Sequence, residues 1–167
     1  VRILATEGGL SAQVDDPGIM HAYLFQNNVS NYEFLHERAR LNGFDLYIDG
    51  DTLHFKKRKS VAGPMLEWGV SLHRFRPRST TFEPVSKVTV RGWDPKTKKK
   101  IEENATKAED LPLLGPSDPG AKLAEKAWGA GPTTEFFVTH LNVDSAKEAQ
   151  QLAQAYLDEL GGSHIEA

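Results

Sequence analysis

The sequence predicts an α+β fold, in which a small helix–β-hairpin module accompanies an antiparallel β-barrel domain. Three observations carry this prediction. A capped helix runs directly into two strands over residues 30–55, β-type periodicity returns over residues 71–105, and a second capped helix begins near residue 145. The chain has 167 residues, enough for one medium-sized domain or two small ones. We place the helix–hairpin module at residues 1–58 and the barrel-type domain at residues 59–167.

The first helix has sequence signals at both of its ends. Ser30 and Glu33 have the spacing of a capping box, in which each side chain satisfies a backbone N–H of the first turn. Phe34 lies just inside the helix and begins its buried stripe. Gly43 stands where a left-handed residue ends many helices, because glycine has no Cβ to clash there. The sequence therefore predicts a helix between Ser30 and Gly43.

The hairpin after this helix is predicted from a change of period. Apolar and polar residues alternate from Phe44 to Asp49, and alternate again as far as Phe55. With Asp49 and Gly50 as the central residues of a type I′ turn, the register places Leu46 opposite Leu53. One apolar face of this strand pair is then free to pack on the helix.

This stretch resembles a known family. Residues 23–55, YLFQNNVSNYEFLHERARLNGFDLYIDGDTLHF, are similar to a segment of the hub proteins of contractile tails, namely phage late control protein D and the VgrG-like spike proteins of type VI secretion and extracellular injection systems. The resemblance extends loosely over residues 1–105, and Asn31 stands where that family usually has Asp. The matching positions are Tyr23, Gln26, Ser30, Phe34, Leu35, Arg38, Ala39, Gly43, Tyr47, Asp49, Gly50, Leu53 and Phe55.

The resemblance implies a function and a set of partners. It implies a homotrimeric, ring-shaped hub that joins the tail tube to the spike, with tail tube, spike or baseplate proteins as partners. It implies a location in a virion or tail-like particle, assembled in the bacterial cytoplasm, and no catalysis by this part of the chain. We also expect the chain to be an internal piece of a longer protein, because it opens on what resembles the end of a helix and closes on what resembles the start of a strand.

Composition excludes several classes of site. The chain is 39% hydrophobic and 26% charged, as in ordinary soluble domains. It has no cysteine, which excludes disulfides, thiolate metal sites and cysteine nucleophiles. No apolar run approaches the roughly 20 residues of a membrane-spanning helix.

Charge is distributed unevenly along the chain. Residues 1–55 carry a net charge of −5, residues 56–100 carry +10, and residues 101–167 carry −8. Three interpretations of the basic middle stay open: solvated turns, a surface that meets an acidic partner subunit, and a nucleic-acid surface. The interaction candidates within it are Arg74, Arg76 and Arg78, on one face of a predicted strand, and Lys96, Lys98, Lys99 and Lys100, around a predicted turn.

The last third of the chain combines a long loop with a strand and a helix. Gly and Pro punctuate residues 108–132, with a short helical possibility that ends at Trp128, a further interaction candidate and the predicted anchor of this loop. The loop either reaches a neighbouring subunit or folds back on its own domain. A strand over residues 134–143 is predicted to point Phe137 inward, before a helix over about residues 145–160.

The sequence offers no catalytic constellation. The six histidines have no metal-binding spacing, and no phosphate loop, dinucleotide fingerprint or nucleophile elbow is present. We therefore assign no catalytic, metal or cofactor-binding residue and predict a protein that is not an enzyme. The leading hypothesis is a structural component of the hub or spike base. The alternatives are a cell-wall binding or degrading module of a phage tail and a nucleic-acid-binding domain.

Overall fold

The fold is that of a computed structural model, which describes residues 1–21, 23–59, 63–76, 78–79, 85–109, 120–129, 134–162 and 165–166. In chain order the elements are α1 (Arg2–Glu7), β1 (Ser11–Val14), α2 (Asn31–Asn42), β2 (Phe44–Asp49), β3 (Thr52–Lys57), β4 (Arg78–Ser79), β5 (Lys87–Asp94), β6 (Lys99–Ala105), α3 (Gly120–Trp128), β7 (Glu135–Val138), α4 (Ala146–Gly162) and β8 (Ile165–Glu166). The α+β class predicted from the sequence is confirmed.

The first unit is a three-stranded sheet covered by two helices. Its strand order is β1-β3-β2, with β1 parallel to β3 and β2 antiparallel to it. Alternate residues of the strands turn one apolar face toward α1 and α2, as a period of two requires. The core between these layers consists of Ala5, Leu35, Ala39, Phe44, Leu53 and Phe55.

The hairpin of this unit exists, but its predicted register is wrong. Asp49 pairs with Thr52, so that Gly50 and Asp51 are the central residues of the turn. Gly50 has a φ of 59°, which suits glycine at the first central position of a type II′ turn. Leu46 therefore faces Phe55 instead of Leu53. The shift changes the pairing by two residues, which leaves both apolar sets on the same face.

The second unit is a three-stranded sheet covered by α4. Its strand order is β6-β5-β7, with β5 antiparallel to β6 and parallel to β7. Val88 and Val90 of β5 and Val138 of β7 are fully buried under the helix. The helix contributes Ala149, Leu152, Ala153, Tyr156 and Leu157 to this core, and the small alanines allow it to lie close to the sheet.

The structure corrects two predictions about β7, namely its length and the residue that points into the core. The strand covers only Glu135–Val138, and Val138 points inward. Phe137 lies on the exposed side, where the guanidinium of Arg91 sits 4.5 Å from its ring centroid. A one-residue difference in phase moves every side chain to the other face, and two adjacent phenylalanines do not reveal which one is inside.

The predicted antiparallel barrel does not appear in the described residues. Both three-stranded sheets are mixed, because each contains one parallel and one antiparallel pair of strands. Each is an open sheet with helices on one face. Residues 71–76, predicted as part of a long strand, are not in a strand, although Leu72 forms an isolated bridge with Trp68. Arg78–Ser79 pairs with β8. The alternation of apolar and polar residues does not indicate whether neighbouring strands run parallel or antiparallel, so the sequence did not distinguish the two kinds of pairing.

The two units are joined through α2 and α4. Arg40 donates to Glu159 at 3.1 Å and to the hydroxyl of Tyr156 at 3.2 Å, while its guanidinium also pairs with Glu37 of its own helix. Gly43, with a φ of 67°, ends α2. A Cβ added to Gly43 would lie 3.6 Å from the methyl carbon of Ala155 in α4. The contacts between α2 and α4 thus connect the two units. Among the helices of the described residues, none is long and apolar enough to cross a membrane.

Candidate interaction surface

An open groove lies between the segment 23–29 and the first turns of α2. We call it the aromatic groove. Its volume is about 760 Å³. It is lined by Tyr23, Leu24, Phe25, Asn27, Val29, Tyr32, Glu33, Phe34, His36, Glu37 and Arg38.

Capping interactions hold the segment 23–29 against the start of α2. The Oγ of Ser30 accepts from the backbone N–H of Glu33 at 3.2 Å, and the Glu33 carboxylate accepts from the Ser30 N–H at 2.8 Å. The amide of Gln26 donates to the Val29 carbonyl at 2.8 Å and to Asn31 Oδ1 at 3.0 Å. The capping box predicted from Ser30 and Glu33 is therefore present, and it also shapes one end of the groove.

The segment that leads into the groove is tied to the second unit. The ammonium of Lys147 donates to the Gly18 carbonyl at 2.7 Å, and His21 lies 3.5 Å from the carboxylate of Glu148. Gly18 has a φ of 71°, a conformation that a side chain would strain. Contacts at both ends thus position the aromatic segment, although it contains neither helix nor strand.

The aromatic side chains of the groove are unusually exposed. Tyr23, Phe25 and Tyr32 are exposed by 77%, 66% and 63%. The rings of Tyr23 and Phe25 are nearly parallel, with centroids 6.3 Å apart, and Tyr32 lies beside His36 at 5.8 Å. Single exposed apolar residues are ordinary, whereas a contiguous group of this kind usually marks an interaction site.

Two carboxylates stay charged beside these rings. The hydrogen bonds from the backbone and hydroxyl of Ser30 lower the pKa of Glu33. The hydrogen bond from the Arg40 guanidinium lowers the pKa of Glu37. Both groups are therefore anionic at neutral pH, next to the cationic Arg38. The groove therefore combines apolar rings with charged side chains at its edge.

A second exposed apolar group lies in the loop of residues 63–76, which we call the Trp68 loop. Trp68 and Val70 are exposed by 69% and 68%, and Met65, Leu66 and Phe75 also face outward. The carbonyl of Glu67 accepts from three successive N–H groups, those of residues 70–72, at 3.0–3.2 Å. The loop is therefore a braced turn that presents Trp68.

The structure separates the predicted basic candidates instead of gathering them on one face. Arg74 and Arg76 are exposed at the end of the Trp68 loop. The backbone of Arg78 belongs to β4, and its side chain lies outside the described residues. The lysines lie at the β5–β6 turn and the start of β6, where all are exposed: Lys96, Lys98, Lys99 and Lys100.

Asp94 builds the lysine-bearing turn. Its carboxylate accepts from the N–H of Lys96 at 2.9 Å and from the hydroxyl of Thr97 at 2.6 Å. Lys98 has a φ of 53° within it. Trp128, the predicted anchor of the long loop, is 80% exposed at the end of α3, and its role as an anchor stays a prediction. The rest of the predicted long loop, at 110–119 and 130–133, lies outside the described residues.

A polar cleft of about 680 Å³ lies where the two units meet. Side chains of both charges line the cleft, among them Lys57, Lys59 and Lys147 and the acidic Asp15 and Glu109. In the part of the chain that the structure describes, no three His, Asp or Glu side chains come together in a way that would hold a metal ion. The cleft contributes to the junction between the units, and the aromatic groove is the better candidate for binding.

Sequence reasoning missed the groove because it treated Tyr23–Phe55 as scaffold. Tyr23 was noticed only as a position of the family resemblance, and Phe25 and Tyr32 were not singled out. The available signal was a run of large apolar residues, Tyr23–Phe25, outside any helical or strand period and shortly before the helix cap at Ser30. Such residues have no core to enter, so they indicate a surface site.

Comparison with known families decides what this chain belongs to. The family model of the Alg8 N-terminal domain matches residues 1–157. The chain belongs to this family. No match to a curated protein was found.

Among solved structures, this chain is similar to the 43 kDa tail protein of prophage MuSo2 from Shewanella oneidensis. The TM-score is 0.56 at 19% sequence identity, and the match covers 98% of this chain and 43% of the tail protein. Prophage tail protein gp18 from Listeria monocytogenes EGD-e matches at a TM-score of 0.47 and 13% identity, over 85% of this chain and 41% of gp18. The chain thus spans less than half the length of these proteins. It shares its fold with a phage tail protein.

These findings correct the predicted family and function. The assignment to the late control protein D and VgrG-like hub family is wrong, because the matching family model is that of the Alg8 N-terminal domain. The predicted function as a hub that joins tail tube to spike rested on that assignment and is overturned with it. The fold likeness to the MuSo2 tail protein does not restore it, because at 19% identity it shows the architecture alone.

Proposed function

We propose that this chain is a non-enzymatic structural module that binds other protein subunits through its aromatic groove. The occupant is an apolar protein segment flanked by basic residues. The observation that carries this proposal is the group of exposed rings of Tyr23, Phe25 and Tyr32 on a well-anchored support.

The geometry of the groove supports binding through aromatic anchors. Aromatic residues are enriched at protein interfaces, where they bury large areas at a low cost in side-chain entropy. The segment 23–29 is already fixed by the Gln26 and Ser30 hydrogen bonds, so little ordering is needed on binding. A rigid apolar groove of this kind suits a protein segment.

The charges of the rim support the choice of a basic partner. Glu33, Glu37 and Arg38 line the groove, and Glu37 is already paired with Arg40, so Glu33 is the carboxylate that a basic segment would meet. Complementary charge steers association and selects among partners.

Neither carboxylate of the groove is poised to act as a general acid. Glu33 is engaged in the helix cap, and Glu37 is held in an ion pair by Arg40. Both have lowered pKa values, whereas a general acid needs a pKa raised toward neutrality.

The predicted homotrimer, the tail proteins predicted as partners, the particle location with assembly in the bacterial cytoplasm, and the two predicted domains all stay predictions.

The proposal is tested by titrating the isotope-labelled chain with two short peptides. In one peptide phenylalanine alternates with arginine, and in the other it alternates with glutamate. We expect the arginine peptide to shift the ring resonances of Tyr23, Phe25 and Tyr32, while the indole of Trp128 serves as a matched exposed control. Phe25→Ser should remove the shifts. If neither peptide shifts the groove resonances, or both shift them equally, the proposal fails.

A further inference from the structure

The Trp68 loop has the properties of the segment that the aromatic groove requires. It presents Trp68 and Phe75 to the exterior, with His73, Arg74 and Arg76 exposed beside them. The loop carries Arg74 and Arg76 against Glu67, a net charge of +1. The chain therefore contains both an aromatic groove with Glu33 on its rim and an aromatic loop with two arginines.

The loop is preformed, as a docking element should be. The Glu67 carbonyl accepts from the N–H groups of Ser71 and Leu72 at 3.0 Å, and the Glu67 N–H donates to the hydroxyl of Ser71 at 2.9 Å. Leu72 accepts from the N–H of Gly69 at 2.9 Å. These bonds close the turn around Trp68, so its presentation costs little entropy on binding.

The exposed area of the two surfaces is large enough to matter. A fully buried aromatic residue removes about 150–250 Å² from water. The three exposed rings of the groove and the two of the loop, at their exposures of 46–77%, thus offer on the order of 600 Å². The aliphatic neighbours Leu24, Val29, Met65, Leu66 and Val70 bring the area into the range of a weak specific interface of about 1,000 Å².

We propose that the Trp68 loop of one copy of this chain docks in the aromatic groove of a second copy. This inference rests on the proposed function and names the partner of the same groove. Glu37 of the rim is held by Arg40, so Glu33 is the rim carboxylate that Arg74 and Arg76 of the loop would meet. Groove and loop are different surfaces, so the contact is heterologous and repeats head to tail until a ring closes or a filament grows.

The test is analytical ultracentrifugation of the full chain over a concentration series up to about 1 mM. We expect concentration-dependent association that weakens with added salt. Phe25→Ser in the groove and Trp68→Ser in the loop should each weaken it by more than about 30-fold, as loss of a central aromatic anchor does. Trp128→Ser removes an equally exposed tryptophan outside both surfaces and should leave association unchanged.

Mixing the two defective variants gives the decisive result. The groove of the Trp68→Ser variant and the loop of the Phe25→Ser variant are intact, so the mixture should form dimers and nothing larger. Circular dichroism of each variant shows whether it is folded. Monomers at every concentration, or a mixture that stays monomeric, overturn the inference. If the arginine peptide still shifts the groove resonances in that case, the proposed function stands and the occupant is another protein.

Discussion

Gly92 in β5 is a position where one methyl group should destabilise the fold. A Cβ added there would lie 2.7 Å from Cγ2 of Val143 and 3.3 Å from its carbonyl oxygen. Val143 is buried in the core beneath α4, so neither atom has free space to enter. The carbonyl belongs to the backbone and cannot rotate away from the methyl.

The size of the effect follows from two opposing terms. Overpacking a core of native density costs about 1–3 kcal/mol. Replacing glycine in a strand interior recovers roughly 0.5–1 kcal/mol of backbone entropy. We expect Gly92→Ala to lower the free energy of unfolding by about 1–2 kcal/mol. With a urea m-value of about 2 kcal/mol per molar, the midpoint shifts down by roughly 0.5–1 M.

The assay is urea unfolding followed by circular dichroism, with Gly63→Ala as the control. Gly63 has no atom within 4 Å of an added Cβ and no positive φ, so its substitution should stay within about 0.5 kcal/mol. Val143→Ala removes the clashing methyl, and we expect the double variant to be more stable than the sum of the single effects by about 1 kcal/mol. An unchanged midpoint for Gly92→Ala, or strict additivity in the cycle, would refute the reasoning.

Three further predictions concern single side chains. Ser30→Ala removes the helix cap and should cost about 1 kcal/mol in urea unfolding, and an unchanged midpoint would contradict it. The pKa of Glu37 is lowered below 4.5 by Arg40, so its stabilisation is present above pH 4.5 and is lost as pH falls toward the folded-state pKa. The stability difference between the wild type and Glu37→Gln, within about 0.5 kcal/mol for this solvent-screened pair, should therefore shrink on acidification, and a difference that grows would contradict the assignment. His54 stacks on Tyr47 at 4.6 Å while its Nδ1 is buried without a hydrogen-bond partner, so His54→Phe should raise the urea midpoint, and a lower midpoint would show that Nδ1 is satisfied.

Local signals in the sequence predicted local structure well. Ser30 with Glu33 and Gly43 defined both ends of α2, because caps depend on only a few adjacent residues. The hairpin was recognised from its period, but its register was not. Gly50 supplies the positive φ in both turn types, and the two alternatives keep the same apolar face inward.

Long-range arrangement was predicted less well. The parallel pairing of β7 with β5 depends on contacts between residues 48 positions apart, which strand periodicity does not encode. The expected barrel was wrong for the described residues for this reason. The aromatic groove was also missed because the segment that leads to Tyr23 is held by distant residues. Lys147 and Glu148, which contact Gly18 and His21, lie more than a hundred residues later in the chain.

The central claim is that the aromatic groove receives the Trp68 loop of another copy, and cysteine cross-linking tests it most directly. The chain has no cysteine, so introduced thiols react without background. Leu24→Cys in the groove and Val70→Cys in the loop, carried on separate copies and joined by a short thiol-specific linker, should give a covalent heterodimer. Trp128→Cys in place of Leu24→Cys is the control. We predict that the groove–loop pair cross-links well above this control, and equal yields for the two pairs would contradict the account.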